Sequence, residues 1–434
     1  MSLTLIGIIG IISLLFILFF LGMPVGFSMA IVGFAGFSYV ISLNAGMNMA
    51  GAIFWSVCSK YGLTVIPLFI FMGQIAFYSG VNKRLYKAAY RWVGHIRGGL
   101  AMSTIMACSA FATICGSNTA TAATMSTVAL PEMKKYGYSS ILSTGAVACG
   151  STLGVVIPPS VVLIIIGLAT EQSISRLFYG GIGAGLLLTL MFVITVALLC
   201  RIRPEWGPVA AKSSIKDRMI SLSGAAEMLI LFILIMAGLY FGFFTPSEAG
   251  AAGSFFALLI SVIRKTLSWN NFKKAVKDTL RISCMVIMLI AGAMIFGRFL
   301  AVTRIPFDLA FFVAGLPVSD LTIMICITLI YIIGGAIMDA LALLIITIPI
   351  FYPLAMQIGY DPIWFAVTIT VITTLGAVTP PVGATTYVVA GVADDVPLKD
   401  VFKGVALFLP AYIITIGLLI LFPCIITWLP GLMR

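Results

Sequence analysis

Long apolar runs recur along the whole of this 434-residue chain and constrain its fold more than any other feature. A run of roughly 18 or more apolar residues is long enough to cross the hydrocarbon core of a bilayer as a helix. Clear examples are Leu3–Leu21, Leu177–Leu199, Met228–Phe244, Cys284–Leu300 and Phe402–Phe422. The first run has no basic segment before it and no convincing A-x-A cleavage site, so we expect a retained span rather than a signal peptide. The pattern predicts an all-α, polytopic membrane protein.

Composition and charge exclude several functional classes. Hydrophobic residues make up 61% of the chain, charged residues 9%, and the net charge is +11. The basic residues lie in short segments between spans, as orientation in a bilayer requires, so we expect lipid and not nucleic acid around this chain. His95 is the only histidine and the eight cysteines show no CxxC spacing. We therefore expect neither a histidine-based catalytic centre nor a thiolate metal site, and no enzyme activity.

Three basic segments predict which loops face the cytoplasm. Each contains five or six Lys or Arg residues, and they lie at 83–97, 201–218 and 264–281. The loops that should face outward are poor in Lys and Arg and lie near Glu171, residues 308–320 and Asp361. Counting spans back from these loops places both termini outside.

Two amphipathic stretches overlap these basic segments. They lie at about 82–98 and about 268–281. Such helices rest along a membrane surface. We expect them to act as arms that link a mobile unit to a fixed scaffold.

A repeated motif divides the chain into two halves. Thr152–Pro159 and Thr374–Pro381 share six of eight residues at an offset of 222 (374 − 152). The same offset pairs Pro24 with Pro246, Pro131 with Pro353, Gly137 with Gly359, and Tyr138 with Tyr360. Matched Pro and Gly positions are not a generic property of apolar helices. Since one copy starts outside and the other inside, we predict an inverted repeat, with halves 1–220 and 221–434.

Each half contains an apolar region that is interrupted by a polar tip. The first region is about 99–131 with its tip at Cys115–Thr121, and the second is about 320–353 with its tip at Gly334–Asp339. Both ends of each region lie on one side of the membrane. Non-helical backbone at membrane depth survives only where it is buried in protein or lines a cavity. The sequence therefore predicts two re-entrant helical hairpins.

Each half also contains a Gly-x-x-x-Pro-Pro break, within helices at about 138–170 and about 362–393. Proline has no N–H group and clashes with the preceding turn, so two in succession unwind a helix. The freed carbonyls can point into a cavity, where hard cations such as sodium prefer oxygen ligands. Candidate carbonyls belong to Gly154, Ile157, Pro159, Gly376, Thr379 and Val382. Proline kinks in ordinary packed helices are the alternative explanation.

The hairpin tips carry the candidate substrate ligands. Ser117, Asn118 and Thr119 supply hydroxyl and N–H donors that suit an anion beside a helix N-terminus. Asp339 is an ionisable group in a membrane hairpin and is therefore a functional candidate, although it can also cap the returning helix. Arg304 lies at the outer end of a span, where it either meets an anionic substrate or extends to the membrane surface.

Four groups of residues together resemble one transporter family. They are Gly116–Ala120, Leu130–Met133 with Tyr136–Tyr138, Leu153–Ser160, and Thr379–Gly383. Over essentially the whole chain they resemble the large membrane subunit of tripartite ATP-independent periplasmic (TRAP) transporters. The resemblance implies an elevator-type importer, like others of the ion-transporter superfamily, that uses a sodium gradient to take up small carboxylates or sulfonates. It also implies a bacterial inner-membrane location, a separate small four-helix membrane subunit, and a periplasmic substrate-binding protein.

The resemblance also implies ligands for at least two sodium ions. One site would use backbone oxygens of Cys115, Ser117, Gly154, Ile157 and Pro159. The other would use those of Gly335, Gly376, Thr379 and Val382. Ser117 and Asp339 match positions near the substrate in sialic-acid members of the family. Val162 stands where those members have a carboxylate-binding Ser, so we do not expect sialic acid as the substrate.

The main alternative is a self-sufficient sodium/dicarboxylate symporter of the divalent-anion type. Such proteins tend to carry Ser-Asn-Thr at both hairpin tips. Here the second tip reads Gly335-Ala336-Ile337-Met338-Asp339, which favours the tripartite family. A scaffold subunit without transport activity gives no reason for two broken helices.

Overall fold

Helix starts in this chain are set by short polar side chains. The computed structural model describes residues 2–209, 214–305, 308, 319–393 and 395–433. Many of its helices begin after a Ser, Thr or Asp whose side chain accepts a hydrogen bond from a backbone amide of the first turn, as N-cap residues do. These residues are Ser2, Ser42, Ser117, Ser160, Ser173, Ser214, Thr245, Ser268, Ser319, Asp339 and Asp361.

The regular structure of the described residues is helical. The helices of the first half are α1 (Leu3–Phe20), α2 (Val25–Val40), α3 (Leu43–Ser59), α4 (Val65–Tyr78), α5 (Val81–Val93), α6 (Gly99–Cys115), α7 (Asn118–Lys135), α8 (Ser140–Ser151), α9 (Leu153–Val156), α10 (Val161–Thr170) and α11 (Ile174–Ile202). Those of the second half are α12 (Ile215–Tyr240), α13 (Pro246–Ile263), α14 (Trp269–Val302), α15 (Asp320–Ile337), α16 (Ala340–Ile358), α17 (Pro362–Gly376), α18 (Ala384–Val392), α19 (Leu398–Ala406), α20 (Leu409–Leu421) and α21 (Cys424–Gly431).

The hairpin and the broken helix follow in the same order in the two halves. Helix α7 begins at Asn118 and α16 at Ala340, an offset of 222 (340 − 118). Helices α6 and α15, and likewise α10 and α18, begin within one residue of that offset. Each half therefore has a hairpin followed by a broken helix, α6–α7 with α8–α10 and α15–α16 with α17–α18. The predicted fold class, an all-α membrane protein with two hairpins and two Pro-Pro breaks, is confirmed.

The helices have the length and surface of membrane spans. Among the described residues, eight helices are long and apolar enough to cross a bilayer. Large apolar side chains on their outer faces are exposed, such as Leu186 and Leu198 on α11 and Leu329 on α15. In water such surfaces would be costly, whereas in lipid they are matched by their surroundings.

Two repeat-related helix pairs interlock the halves. Helix α2 packs along α14, and α13 packs along α4. A Cβ atom on Gly33 would lie 2.7 Å from the Cα atom of Phe296, and one on Gly292 would lie 2.1 Å from the carbonyl oxygen of Gly26. Only glycine permits this approach, and small residues bring membrane helices together in this way. Each half thus completes the scaffold of the other.

The two predicted arms differ in the structure. Helix α5 is a separate amphipathic helix, whereas residues 269–281 form the first turns of the 34-residue helix α14. Nothing interrupts α14 because its sequence contains no proline. The position equivalent to α5 in the second half is 303–315, most of which lies outside the described residues, as do Lys212 and residues 309–318 of the outer loop.

The broken helices lie at the centre of the molecule. All residues of α17 from Ile363 to Gly376 are buried, and so are those of α8 from Leu142 to Ser151. Helix α17 packs on α9, α10 and α11, and on both helices of the second hairpin, α15 and α16. The first break is therefore enclosed by protein, whereas Pro380, Pro381 and Val382 of the second break are exposed.

Candidate functional site

Both hairpin tips open into one cavity. Helices α6 and α7 are separated at Gly116 and Ser117, and α15 and α16 at Met338 and Asp339. The cavity has a volume of about 180 Å³. Its polar lining comes from Gln74, Ser117, Asn118, Thr119 and Asp339, and its apolar lining includes Ile70, Val162, Ile282, Met285 and Val286. The two hairpin tips therefore meet at one cavity.

The first tip depends on a glycine and a serine. Gly116 ends α6 with a φ of 62°, a left-handed conformation that suits a residue without a Cβ atom. Ser117 then caps α7, and its Oγ atom accepts from the amide of Ala120 at 3.4 Å. The same Oγ lies 3.3 Å from the Oγ1 atom of Thr119. The hydroxyls of Ser117 and Thr119 are thus paired at the cavity wall.

Asn118 carries a buried side-chain amide donor that has no hydrogen-bond partner among the described residues. Its side chain is only 4% exposed. The Oδ1 atom accepts from the amide of Thr119 at 2.8 Å, but the buried Nδ2 atom has no hydrogen-bond partner among the described residues. An unsatisfied buried donor costs about 1–3 kcal/mol, so such groups normally have a partner. An acceptor in the cavity, such as a carboxylate or sulfonate oxygen, would satisfy it.

Asp339 has two roles in the geometry of the second tip. It is the N-cap of α16, and its Oδ2 atom accepts from the amide of Leu341 at 3.1 Å. It also lines the cavity with an exposed side chain. Asp339 is the repeat partner of Ser117, since 339 − 117 is 222. Equivalent caps therefore place a hydroxyl at one tip and a carboxylate at the other.

The first hairpin tip packs directly on the first break. A Cβ atom on Gly154 would lie 2.7 Å from the Ser117 carbonyl oxygen, and one on Gly116 would lie 3.0 Å from that of Pro159. The Gly154 carbonyl has no helical donor, because the residue four positions on is Pro158. The oxygens of Ser117, Gly154 and Pro159 are thus brought close to the junction of tip and break. The peptide bond between Pro158 and Pro159 is cis.

The second tip is bound to the second break by hydrogen bonds. The amides of Val382 and Gly383 both donate to the Ala336 carbonyl, at 3.0 and 3.2 Å. A Cβ atom on Gly376 would lie 2.6 Å from the Cα atom of Gly335. The structure thus brings Gly335, Gly376 and Val382 together, with Ala336 as a linking residue that sequence reasoning did not identify.

The glycine carbonyls of the two breaks differ in the hydrogen bonds that they accept. The Gly376 carbonyl accepts from both the amide and the Oγ1 atom of Thr379, each at 3.0 Å. The equivalent of Thr379 in the first half is Ile157, which has no hydroxyl. A cation at the second break would therefore compete with Thr379 for the Gly376 oxygen, whereas the Gly154 oxygen has no such competitor.

Cys115 lines the cavity, whereas Arg304 lies outside it. The Cys115 carbonyl faces α4, where a Cβ atom on Gly73 would lie 3.3 Å from it. Arg304 is exposed, follows the end of α14 with a φ of 60°, and is not among the residues that line the cavity. The structure therefore does not bring Arg304 to the hairpin tips.

Several cavity residues were not identified from the sequence. Gln74 comes from α4, and Ile282, Met285 and Val286 come from α14. A polar Gln inside an apolar span was a usable signal, since polar residues in spans normally face the protein interior. The α14 residues gave no such signal because they resemble any other apolar helix face.

A membrane protein with two repeat-related hairpins whose tips meet at one cavity, and with a broken helix packed on each tip, is a permease of the secondary-transporter class. Residues 12–426 match the family model of the tripartite ATP-independent periplasmic transporter, DctM component. The chain belongs to this family and is one of its large permeases, not an enzyme.

Curated relatives agree with this assignment. The chain is 32% identical over 372 residues to the C4-dicarboxylate TRAP transporter large permease protein DctM of Pseudomonas aeruginosa, covering 86% of this chain and 85% of the relative. It is 30% identical to the sialic acid TRAP transporter large permease protein SiaM of Vibrio cholerae, covering 95% and 96%. It is 32% identical to the isethionate TRAP transporter permease protein DctMQ of Oleidesulfovibrio alaskensis, covering 91% of this chain and 62% of that longer protein.

A solved structure shares the fold. The YdaH transporter of Alcanivorax borkumensis superposes with a TM-score of 0.64 over 90% of each chain. Sequence identity is 15%, so this likeness concerns the fold alone.

Proposed function

We propose that this permease imports a small organic anion, a carboxylate or sulfonate, by sodium-coupled elevator transport. A periplasmic substrate-binding protein would deliver the anion, and a small four-helix membrane subunit would complete the complex. The observation that carries the proposal is the cavity shared by both hairpin tips, with the unpaired Asn118 donor beside the hydroxyls of Ser117 and Thr119. These groups stand at the N-terminus of the 18-residue helix α7, whose dipole favours an anion.

The cavity dimensions favour a small substrate. Its volume of about 180 Å³ suits a molecule with few carbon atoms better than a large sugar acid. Val162 contributes an apolar wall, which suits a short carbon chain between polar ends. Relatives are named for C4-dicarboxylates and isethionate, which fit this description, and one is named for sialic acid, which does not.

Sodium coupling is supported by the oxygens at the breaks. The Gly154 carbonyl has no helical donor, and the carbonyls of Ser117 and Pro159 lie at the same junction. Oxygen groups of this kind match the preference of hard cations. At the second break a cation would take the Gly376 and Thr379 oxygens together with those of Gly335 and Val382.

Elevator movement is supported by one face of α14. Ile282, Met285 and Val286 line the substrate cavity, and Ile290 and Met294 on the same face line a second cavity of about 350 Å³. That second cavity also contacts α10 and the hairpin helix α16. Val286 and Met294 are eight residue steps apart, or about 12 Å along the helix, so the proposed movement along this face would have that length.

Orientation follows from the basic start of α14. Ile282 comes directly after Arg281, the last residue of the basic segment, so the substrate cavity lies towards the basic, cytoplasmic end of the helix. We infer an inward-facing conformation in the inner membrane, with both termini in the periplasm.

Uptake of a radiolabelled C4-dicarboxylate or isethionate into proteoliposomes tests the proposal. The complex is assayed with the binding protein and an inward sodium gradient, and then with potassium in place of sodium. We expect uptake to require both sodium and the binding protein. Equal uptake in potassium would refute sodium coupling, and equal uptake without the binding protein would favour the self-sufficient dicarboxylate symporter.

A further inference from the structure

An apolar cavity separates α14 from two helices that carry the hairpins and breaks. It is the second cavity described above, with a volume of about 350 Å³. One wall comes from α3 and α14, and the opposite wall comes from α10 and α16. Six of the apolar side chains that line it are Val57, Leu63, Ile165, Leu168, Ile345 and Ile348. The cavity therefore lies between the parts that the proposed elevator movement would displace against each other.

The cavity lies at the depth of the outer leaflet. Its α14 residues, Ile290 to Gly297, belong to the second half of that helix, away from the basic start that faces the cytoplasm. Met294 in its wall is 39% exposed, so the cavity is open to its surroundings. Water gains little there, because a bound water needs several polar partners and most of the lining is apolar. In a bilayer, the acyl chains of phospholipids match this lining.

Two opposite charges line the same cavity. Lys60 follows α3, and Glu171 follows α10 with a φ of 56°. Both residues are exposed. Among the described residues, neither side chain forms an ion pair. A cation and an anion that both stand free beside an apolar cavity suit a lipid whose head group also carries both charges.

We propose that this cavity binds a phospholipid with a primary ammonium head group, a phosphatidylethanolamine. The phosphate accepts from the Lys60 ammonium, the lipid ammonium donates to the Glu171 carboxylate, and an acyl chain lies between α14 and α16. Phosphatidylglycerol has no cation for Glu171, and the quaternary ammonium of phosphatidylcholine has no N–H group to donate. The two charges therefore favour phosphatidylethanolamine over both.

An acyl chain in this cavity covers the outer part of the α14 face. The hairpin tips would have to reach that part during transport, so the chain must leave before they arrive. The lipid therefore holds the permease in the present conformation. This holding role rests on the elevator movement proposed above, whereas lipid binding itself does not.

Native mass spectrometry of the delipidated complex tests the binding. Phosphatidylethanolamine, phosphatidylglycerol and phosphatidylcholine with the same acyl chains are added in equal amounts, and we expect phosphatidylethanolamine to be retained most. Lys60→Ala should lower the retention of phosphatidylethanolamine and phosphatidylglycerol alike, by about two- to fivefold, the scale of one exposed ion pair. Glu171→Ala should lower the retention of phosphatidylethanolamine alone by a similar factor.

Gly297→Leu tests the apolar part of the site and keeps both charges. A Cβ atom on Gly297 would meet only the Cγ atom of Pro349, at 4.0 Å, so a leucine enters the cavity without displacing the backbone. It should take the place of the acyl chain and lower retention of phosphatidylethanolamine.

Two control variants match these changes outside the cavity. Gly51→Leu on α3 adds the same side chain where no atom lies within 4 Å of the Cβ position. Arg176→Ala removes an exposed cation at the start of α11. Neither residue lines the cavity, so both variants should retain lipid as the wild type does.

Cross-linking tests the holding role. A cysteine pair at Leu341 and Val286, which line the substrate cavity together, reports the present conformation. In a background without native cysteines, we expect more cross-linking in phosphatidylcholine vesicles that contain phosphatidylethanolamine than in vesicles that lack it. Glu171→Ala should abolish this difference.

The outcomes separate the lipid site from the proposed function. Unchanged retention in Lys60→Ala, Glu171→Ala and Gly297→Leu, or an equal loss in both controls, would overturn the site. Stronger retention of phosphatidylglycerol than of phosphatidylethanolamine would overturn the pairing with Glu171. Lipid binding without an effect on cross-linking would overturn the holding role, whereas uptake that does not need sodium would overturn only the proposed function.

Discussion

Ser117 and Asp339 occupy equivalent caps but offer a substrate opposite chemistry. The Ser117 hydroxyl can donate to an anion, whereas the Asp339 carboxylate can only accept or balance a cation. Asn118 adds an amide donor beside Ser117. At the scale of residues, the cavity therefore has a donor-rich wall from the first hairpin and one acidic group from the second.

Asn118→Ala should weaken transport because it removes the unpaired Nδ2 donor. The loss of one hydrogen bond to a charged ligand is worth about 1.5–3 kcal/mol, or roughly 10- to 150-fold in apparent affinity. Concentration-dependent uptake measures this change. Thr127→Val on the exposed face of the same helix is the control and should behave as wild type. An unchanged apparent affinity in Asn118→Ala would remove Asn118 from the substrate site.

Asp339→Asn separates the charge of this residue from its capping role. Asparagine caps helices about as well as aspartate, so expression and thermal stability should stay close to wild type. Transport should fall, because the loss of a hydrogen bond to a charged group costs about 1.5–3 kcal/mol. Ser117→Ala should cost about 1–2 kcal/mol. Wild-type uptake kinetics for Asp339→Asn would reduce this residue to a helix cap.

At the scale of elements, the site depends on close contact between a hairpin tip and a broken helix. Gly154 of the first break lies against the Ser117 backbone, and Gly376 of the second lies against Gly335. These contacts are made by backbone atoms, which cannot move aside as a flexible side chain does. The tips and breaks therefore behave as paired units, and a change in one displaces the other.

Gly154→Ala should separate the first tip from its break. The new Cβ atom would lie 2.7 Å from the Ser117 carbonyl oxygen, so the tip must shift. We expect membrane insertion to be normal and sodium-dependent uptake to be largely lost. Gly391→Ala on α18 is the matched control, since no atom lies within 4 Å of its Cβ position. Equal activity of both variants would show that the tip tolerates displacement.

At the scale of the whole molecule, the interlocked pairs α2–α14 and α4–α13 form the scaffold that the proposed elevator movement would use. The α14 face from Ile282 to Gly297 contacts both the substrate cavity and the second cavity. The tips now lie beside its first part. A displacement of about 12 Å would place them beside the second part.

Cysteine pairs test this displacement in a background without native cysteines. Leu341 and Val286 line the same cavity, so this pair should cross-link in the present conformation. Leu341 with Met294 should cross-link only after movement, and either cross-link should stop uptake until it is reduced. Leu68 with Gly250, whose Cβ atoms would lie 3.0 Å apart within the scaffold, should cross-link without stopping uptake. Failure of the Leu341–Met294 pair under all sodium and substrate conditions would argue against an elevator.

Much of this architecture was predictable because the residues that specify it act on the backbone within one or two helical turns. Pro158-Pro159 and Pro380-Pro381 break a helix by their own chemistry, and Gly116-Ser117 ends one helix and caps the next. The 222-residue offset then relates the halves without any structural knowledge. Spans, hairpins, breaks and the location of Ser117 and Asp339 at the hairpin tips all followed from such local patterns.

The remaining features depend on which surfaces pack together. Gln74 reaches the cavity only because α4 packs beside the first hairpin, and Arg304 stays away from it because α14 ends beyond the cavity. Thr152 and Tyr412 are far apart in sequence, and their hydroxyls share a hydrogen bond only after the first broken helix packs against α20. Apolar helices in lipid have many faces of similar hydrophobicity. Which faces pack together is decided by close backbone contacts at small residues such as glycine, and only the tertiary structure shows those contacts.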